Sequence, residues 1–533
     1  MKKGLAGISL ITISCLYGIL VIVAIAVCMV CEFPVLYALI ASIIVLIIQF
    51  LISPFLTDLT MRWLYRAKFD REMPAYLKEF IEKICQEHDM KYPRIGYIDD
   101  GAPNAFTYGH TKNDARIILT RGVFELLSED EVKAVVAHEM GHAVHYDMLF
   151  MTVAQLVPLV LYSVYEFFAS SDGDNDSSKL AVIGYVAYIL YIICQYIILW
   201  LSRVREYYAD SFAAEELKNP NLLASALVKI GYGLSANTTR EGKVSVASKN
   251  TLGIFDARTS KTLIVTSYNN GEVSKDRIKN AMKWEMWNVW AKWYQLNSTH
   301  PLISRRLLAL SKMSKEYGLE PYIEFDLKQD ESFVDDFIVE VIIKYLPFLA
   351  FLVSVGVFIL FGINEWDMLL AFGICGTLIM AAVFVTFSKA HPNRNYKETT
   401  VSELLGEVKV SGVRAIPCVI EGEIIGRGNP GCILNEDFVI RDDTGIVFLD
   451  YDQPLFIINK LFALFRSSKY FGKKVLVKGW YKRSPVPYIE VYTMTIDGKV
   501  KRCYSYGFLK FIYLLFLAFF IIVLFVGVTG LFM

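Results

Sequence analysis

The sequence has no excess charge of either sign: across its 533 residues, 54 Lys and Arg balance 54 Asp and Glu. A nucleic-acid partner, which would call for a basic surface facing the phosphates, is therefore disfavoured. A disulfide framework is missing as well. The nine cysteines are scattered, and Cys15, Cys28, Cys194 and Cys375 fall inside apolar stretches. Cys28 and Cys31 form a C-x-x-C at the end of such a stretch without a second pair, so no metal or redox role follows from them. No internal repeat is evident. A cleavable leader is also not expected. The apolar run after Met1-Lys2-Lys3 is far longer than a signal core, lacks a small-residue cleavage site, and is followed at once by a second apolar run. It is expected to stay as an anchor.

What the chain has in abundance is apolar residues, 54% of the total, including 35 Phe and 31 Tyr. This is the composition of a polytopic membrane protein with soluble portions. Seven stretches are long and apolar enough to cross a bilayer as helices: 5–31, 35–56, 148–170, 180–202, 339–363, 367–388 and 508–531. Basic residues are missing from one side of this pattern. The turn at Glu32-Phe33-Pro34 has none, 171–179 is acidic apart from Lys179, and Asn364-Glu365-Trp366-Asp367 has none. Lys2 and Lys3, then Arg62, Arg66, Lys68 and Arg71, Arg203 and Arg205, Lys389, Arg394 and Lys397, and Lys499, Lys501 and Arg502 all fall on the other side. The positive-inside rule thus places every large loop in the cytoplasm of a multi-pass protein of the cell membrane.

Within the first soluble portion stands His138-Glu139-Met140-Gly141-His142, an H-E-x-x-H sequence. Ser128-Glu129-Asp130-Glu131 caps the helix expected to carry it, and Val132, Val135, Val136 and Met140 follow at near-helical spacing. Histidines four apart share one helix face, so both imidazoles can hold one zinc ion while the adjacent Glu139 serves as general base. Two histidines merely buried on one face would leave the carboxylate between them unexplained. A third ligand is still needed. The spans 148–170 and 180–202 form a hairpin, so residues just beyond 202 return to the membrane face bearing His138 and His142. Glu206 and Asp210 stand there, four apart on a continuing helix; one can ligate and the other can accept a hydrogen bond from a ligand histidine. His145 and Asp147 are weaker rivals, expected to be polar residues at the membrane boundary.

Together, His138-Glu139-x-x-His142, the membrane hairpin and Ser-Arg-x-Arg-Glu-x-x-Ala-Asp at 202–210 resemble the HtpX-type membrane zinc endopeptidases, gluzincins related to the CAAX prenyl endopeptidase. Pro103-Asn104-Ala105-Phe106, Ser298-Thr299-His300-Pro301 and Arg306 extend the resemblance across residues 1–315. It implies that Glu206 is the third zinc ligand, with Asp210 as hydrogen-bond partner of a ligand and Arg203 supporting Glu206. It further implies that Asn104, Ala105 and Phe106 lie on an edge strand that pairs with an extended substrate. His300 and Arg306 would lie near the tetrahedral intermediate, with His300 assisting catalysis.

The expected architecture is a polytopic α-helical membrane protein with a zincin-like α+β peptidase domain and a C-terminal β-rich domain. Residues 1–56 form a two-span anchor, 57–337 the peptidase domain including the hairpin 148–202, 338–388 two further spans, and 508–531 the last span. A helix starting at Pro74 is expected over 74–90, short strands around 94–98, 104–108 and 116–120, and a hairpin near 251–267. Residues 400–502 contain no histidine and alternate like strands at 407–411, 438–441, 445–448 and 474–479, suggesting a small barrel loosely similar to OB-type barrels. The expected function is zinc-dependent endopeptidase activity, with polypeptide substrates that are membrane proteins in quality control. Prenyl-protein processing is the enzymatic alternative, and a non-catalytic zinc-holding scaffold acting through 400–502 is the other. The sequence sets no oligomeric state.

Overall fold

The computed structural model describes the chain apart from Met1 and residues 32–34, 64–66, 70, 99–104, 170–176, 233–267, 270–271, 274, 326–328, 330, 365–366, 394, 428–435, 445, 471, 485–486 and 531–533. The hairpin expected near 251–267 lies outside the described residues. Among those described, six helices are long and apolar enough to cross a membrane. They fall at Gly7–Val27, Asp147–Phe168, Ala181–Leu217, Val334–Ile363, Met368–Ala390 and Ser505–Gly530. The stretch 35–56, expected as a further span, is helical within Val35–Trp63 but stands outside these six.

The chain divides into two compact units, one drawn from Met1–Ile230 and Trp293–Phe325, the other including Lys261–Lys292 and Asp326–Met533. In the first unit, helices Asp147–Ala169 and Ser177–Leu217 form the expected hairpin, and the N-terminal helix Lys2–Cys31 packs on it. Leu16, Leu20, Val23, Ala154, Val157, Leu161, Ala187, Cys194 and Ile198 make that core. The helix Ser177–Leu217 has 41 residues. At 1.5 Å rise it is about 60 Å long, roughly twice the hydrocarbon thickness. Its C-terminal third therefore runs beyond the apolar span as the same rigid rod. Beside it, the helix Ala75–Glu87 buries Leu77, Ile81, Ile84 and Cys85, the face its periodicity predicts. Strands β1 (Arg94–Ile98), β2 (Ala105–Gly109) and β3 (Ala115–Thr120) form a sheet in the order β1-β3-β2. Strand β2 is thus an edge, with Phe106 opposite Ile118.

The second unit includes a short ribbon, β4 (Tyr268–Asn269) with β5 (Glu272–Val273). Its main sheet contains β6 (Lys397–Glu398), β7 (Ile416–Arg427), β8 (Phe438–Arg441), β9 (Ile446–Asp450), β10 (Lys474–Arg483), β11 (Pro487–Ile496) and β12 (Lys499–Arg502). The ring β7-β8-β9-β11-β10 closes through the β10–β7 pairing, so five strands form a barrel in which only β9 and β11 are parallel. Closure removes the free edges, and Ile420, Phe438, Leu449, Val477 and Ile489 fill the core. The strand expected at 407–411 is not one. Its carbonyls are used instead by side chains: Trp284 Nε1 donates to Val410 O at 2.8 Å and Asn288 Nδ2 to Val408 O at 2.7 Å. Residues 275–292, assigned from sequence to the peptidase region, accordingly group with the barrel. Arg483, fully buried, lies over the Trp284 ring and donates to Ala281 O.

The membrane helices of this unit pack through small residues. A Cβ on Gly376 would come within 1.9 Å of the Phe520 ring, so helices Met368–Ala390 and Ser505–Gly530 approach more closely than any larger residue would allow. The stacked rings of Phe387 and Tyr506 show that Ala390 and Ser505 lie at the same end of this antiparallel pair.

Candidate metal centre

The motif lies on the helix Glu129–Val144, which begins as its sequence predicts. Ser128 Oγ accepts from Glu131 N, and Glu131 Oε2 accepts from Ser128 N. Gly141, between the motif glutamate and the second histidine, is the residue that lets the site assemble. A Cβ there would stand 3.2 Å from Ala209 Cα and from Phe212, so its absence lets this helix close on Ser177–Leu217. That approach brings Glu206 to the histidines. Its Oε2 lies 3.6 Å from His138 Nε2 and its Oε1 3.6 Å from His142 Nε2. The two Nε2 atoms are 3.2 Å apart.

Each imidazole is held from behind. His138 Nδ1 is 3.0 Å from Asp210 Oδ1, and His142 Nδ1 is 2.7 Å from Asp147 Oδ2. A carboxylate only accepts, so in the neutral rings the proton sits on Nδ1 and each Nε2 lone pair turns toward the same point. Two lone pairs facing each other, beside a buried Glu206 Oε2 that has no hydrogen bond, are a donor set that fits a cation. Charge tells the same story. Burial opposes protonation of both rings, yet the carboxylates of Asp210 and Glu206 beside it lift His138 to about 9, and Asp147 lifts His142 as well. The pocket is built to hold positive charge. His138, His142 and Glu206 supply two imidazoles and one carboxylate, with their ligand atoms within 4.8 Å of one another. This set suits zinc, which when bound supplies Lewis acidity and an acidified water.

The carboxylates behind the ligands are themselves clamped. Arg306 donates to Asp210 through Nε at 2.9 Å and a terminal nitrogen at 2.5 Å, and its other terminal nitrogen is 3.4 Å from Glu206 Oε2. Arg205 pairs with Asp147 at 2.5 Å and donates to Ser9 Oγ at 2.7 Å. Two parallel chains result, His138–Asp210–Arg306 and His142–Asp147–Arg205. From sequence, Arg205 was given no role at the site, and Asp147, weighed only as a weaker rival ligand and expected at the membrane boundary, is instead the partner of a ligand. Its place five residues after His142, just past the helix end, was the available signal. Asp147→Asn is expected to weaken zinc affinity by ~10–100-fold, measured by competition with a chelator, while the fold is kept.

Arg203 donates to the carbonyls of Gln295 and Ser298, each at 2.7 Å, reaching across to the loop before His300. That loop sets His300 Nδ1 3.0 Å from Glu206 Oε1 while leaving the ring largely exposed to solvent. Arg306 is buried against Asp210 and Glu206. Ala105 and Phe106 lie on edge strand β2, whereas Asn104 falls outside the described residues. The next strand residue, Thr107, was missed: its Oγ1 lies 2.9 Å from Glu139 Oε2, tying the edge strand to the buried motif carboxylate.

An H-E-x-x-H helix closed by a glutamate from a second helix, on a chain with six membrane-length helices among its described residues, defines a membrane zinc metallopeptidase. The chain belongs to peptidase family M48, whose model matches residues 72–314. It is 39% identical over 202 residues to the protease HtpX homolog of Methanothermobacter thermautotrophicus, an alignment covering 38% of this chain and 75% of that one. It is 26% identical over 287 residues to the Aeropyrum pernix homolog, covering 52% and 86%. The solved S. mikatae Ste24p structure aligns with a TM-score of 0.33 at 18% identity, over 52% of this chain and 59% of that one. The chain is thus longer than these relatives.

Proposed function

We propose that this zinc endopeptidase cleaves misfolded or damaged membrane proteins at the cytoplasmic face of the membrane. The observation that carries the reading is where the site stands on the hairpin. Asp147 is the first residue of one hairpin helix, and Glu206 lies on the unbroken continuation of the other. The active groups are therefore held at the point where the chain leaves the bilayer, within reach of segments leaving it beside them.

Roles follow from position. Glu139 takes the proton of the attacking water and returns it to the leaving amine, with Thr107 fixing its carboxylate. Strand β2, with Ala105 and Phe106, offers its edge to an extended substrate, and Asn104 is proposed as a further substrate contact. His300, exposed beside Glu206, is placed to donate to the developing oxyanion, and Arg306 balances the charge of Glu206 and Asp210. Residues 57–337 are proposed as the peptidase domain, with 275–292 inside the matched family region while also packing on the barrel. The five-stranded barrel is proposed to be of OB type, because its strand order closes through a parallel third–fifth pairing with a helix before the fourth strand.

The test is cleavage in proteoliposomes of one membrane protein in folded and destabilised forms, beside a farnesylated peptide. Faster cutting of the destabilised form supports the proposal. Preference for the farnesylated peptide would establish prenyl-protein processing instead, and no cutting with zinc bound would favour a scaffold. Orientation has its own test, motivated by the one-sided Lys and Arg distribution. In intact cells an impermeant thiol reagent is expected to label Asp174→Cys, and Glu421→Cys only after permeabilisation. Labelling of Glu421→Cys from outside would refute a cytoplasmic active site.

A further inference from the structure

The helix Phe456–Phe465, between barrel strands β9 and β10, is amphipathic the wrong way round. Of its two polar residues, Asn459 is buried, accepting from Gln453 N at 2.8 Å and donating to Asp452 and to Gln453 O. Phe462 and the fully buried Ala463 share that inner face, with the Phe462 ring 4.9 Å from Tyr451. The outer face carries Phe456 at 72% exposure, Ile457 at 70% and Phe465 at 64%, with Ile458, Leu461 and Leu464 between them; Lys460 borders Phe456 there, its ammonium over that ring and drawn to Glu436 at 2.8 Å. A contiguous apolar face of this kind on a folded barrel calls for a partner.

The surrounding contacts identify the partner. The turn that starts the helix is tied to the first residues of the last membrane helix. Ser505 Oγ donates to Asp452 O at 2.9 Å, Gln453 Nε2 donates to Arg502 O at 3.0 Å, and Tyr504 N donates to Gln453 Oε1. The helix therefore begins beside the place where Ser505–Gly530 enters the membrane. The barrel's other connection, through Ala390, lies at that same end of the helix pair. Exposed cations lie on both sides: Arg466 and Lys469 follow the face, and Lys499 and Arg502, with the half-buried Lys501 between them, precede the membrane helix. An apolar face bordered by Lys and Arg at the level of a membrane entry is the arrangement of a helix lying in the bilayer interface.

We propose that Phe456–Phe465 is an in-plane membrane helix that inserts its outer face into the cytoplasmic leaflet. The barrel then rests on the lipid at three points: two spanning helices and this interfacial one.

The test uses the full chain in nanodiscs of phosphatidylcholine and phosphatidylglycerol, one chain per disc. An NBD fluorophore is attached at Ile457→Cys or Phe465→Cys, with Glu421→Cys as the barrel control and unsubstituted protein as background. The expected result is a blue-shifted emission at 457 and 465, most of it lost when the lipids carry shallow doxyl groups, with the 421 probe unaffected by both. Replacing Phe456, Ile457 and Phe465 together by Ser should return a probe at Leu461→Cys to its aqueous colour and abolish the quenching. Emission of aqueous colour at 457 and 465 would overturn the proposal. So would blue-shifted emission insensitive to doxyl lipids, which would mean cover by protein. Shielding that appears only with two chains per disc would assign the face to a second copy, and would overturn it as well.

Discussion

Glu139→Gln is expected to lower peptide hydrolysis by about 10²–10⁴-fold while the protein keeps one zinc per chain. The substitution is nearly isosteric, and none of the three ligand atoms belongs to Glu139. The amide still accepts from Thr107 Oγ1, so the hydrogen bond between β2 and the motif helix is retained. What disappears is a carboxylate able to take a proton, and with it the only acid–base group built into the motif. Zinc content by elemental analysis and a fluorogenic peptide assay on the same sample decide the matter. Loss of zinc in this variant would show that Glu139 is part of the binding set, and retained activity would remove it from the chemistry.

Glu206→Ala is expected to be the more disruptive change, removing both zinc and activity. Two histidines alone fall below the three protein ligands of a catalytic site. The loss also leaves Arg306 and His300 without the carboxylate they face, at 3.4 and 3.0 Å respectively. Arg306 keeps its paired contact to the fully buried Asp210, so the helix Ile303–Glu316 should stay docked and the protein should remain folded. Full zinc occupancy in this variant would mean that the third ligand is another residue. Aggregation on purification is controlled by Glu206→Gln, which keeps the shape and is expected to bind zinc weakly.

What was legible in the sequence is what short-range physics writes there. The pairing of His138 with His142 follows from helix periodicity, and the helix start follows from a capping box four residues long. Glu206 and Asp210 were reached by a longer argument, because a membrane hairpin returns the chain to the face it left. Choosing between the two arginines nearby was another matter. Arg203 and Arg205 are two positions apart, about 200° around the helix, and only packing decides what each meets. Arg203 meets the 295–298 loop, and Arg205 meets Asp147. The alternation at 407–411 misled for a related reason. Alternating residues allow a strand, but the carbonyls there are taken by Asn288 and Trp284, more than 100 residues earlier in the chain.

The sequence by itself determined the zinc-binding motif, the peptidase family, the membrane-length helices and the β-rich character of the C-terminal region. Each of these is recorded in local composition, in spacing along one element, or in a hairpin that fixes where the chain returns. Tertiary structure alone decided the Asp147–Arg205 support of His142, the bond from Thr107 to Glu139, the grouping of 275–292 with the barrel and the outward apolar face of Phe456–Phe465. Each of these depends on which side of an element meets another across a long sequence separation. That is set by packing and by the satisfaction of buried polar groups, and no local pattern records it.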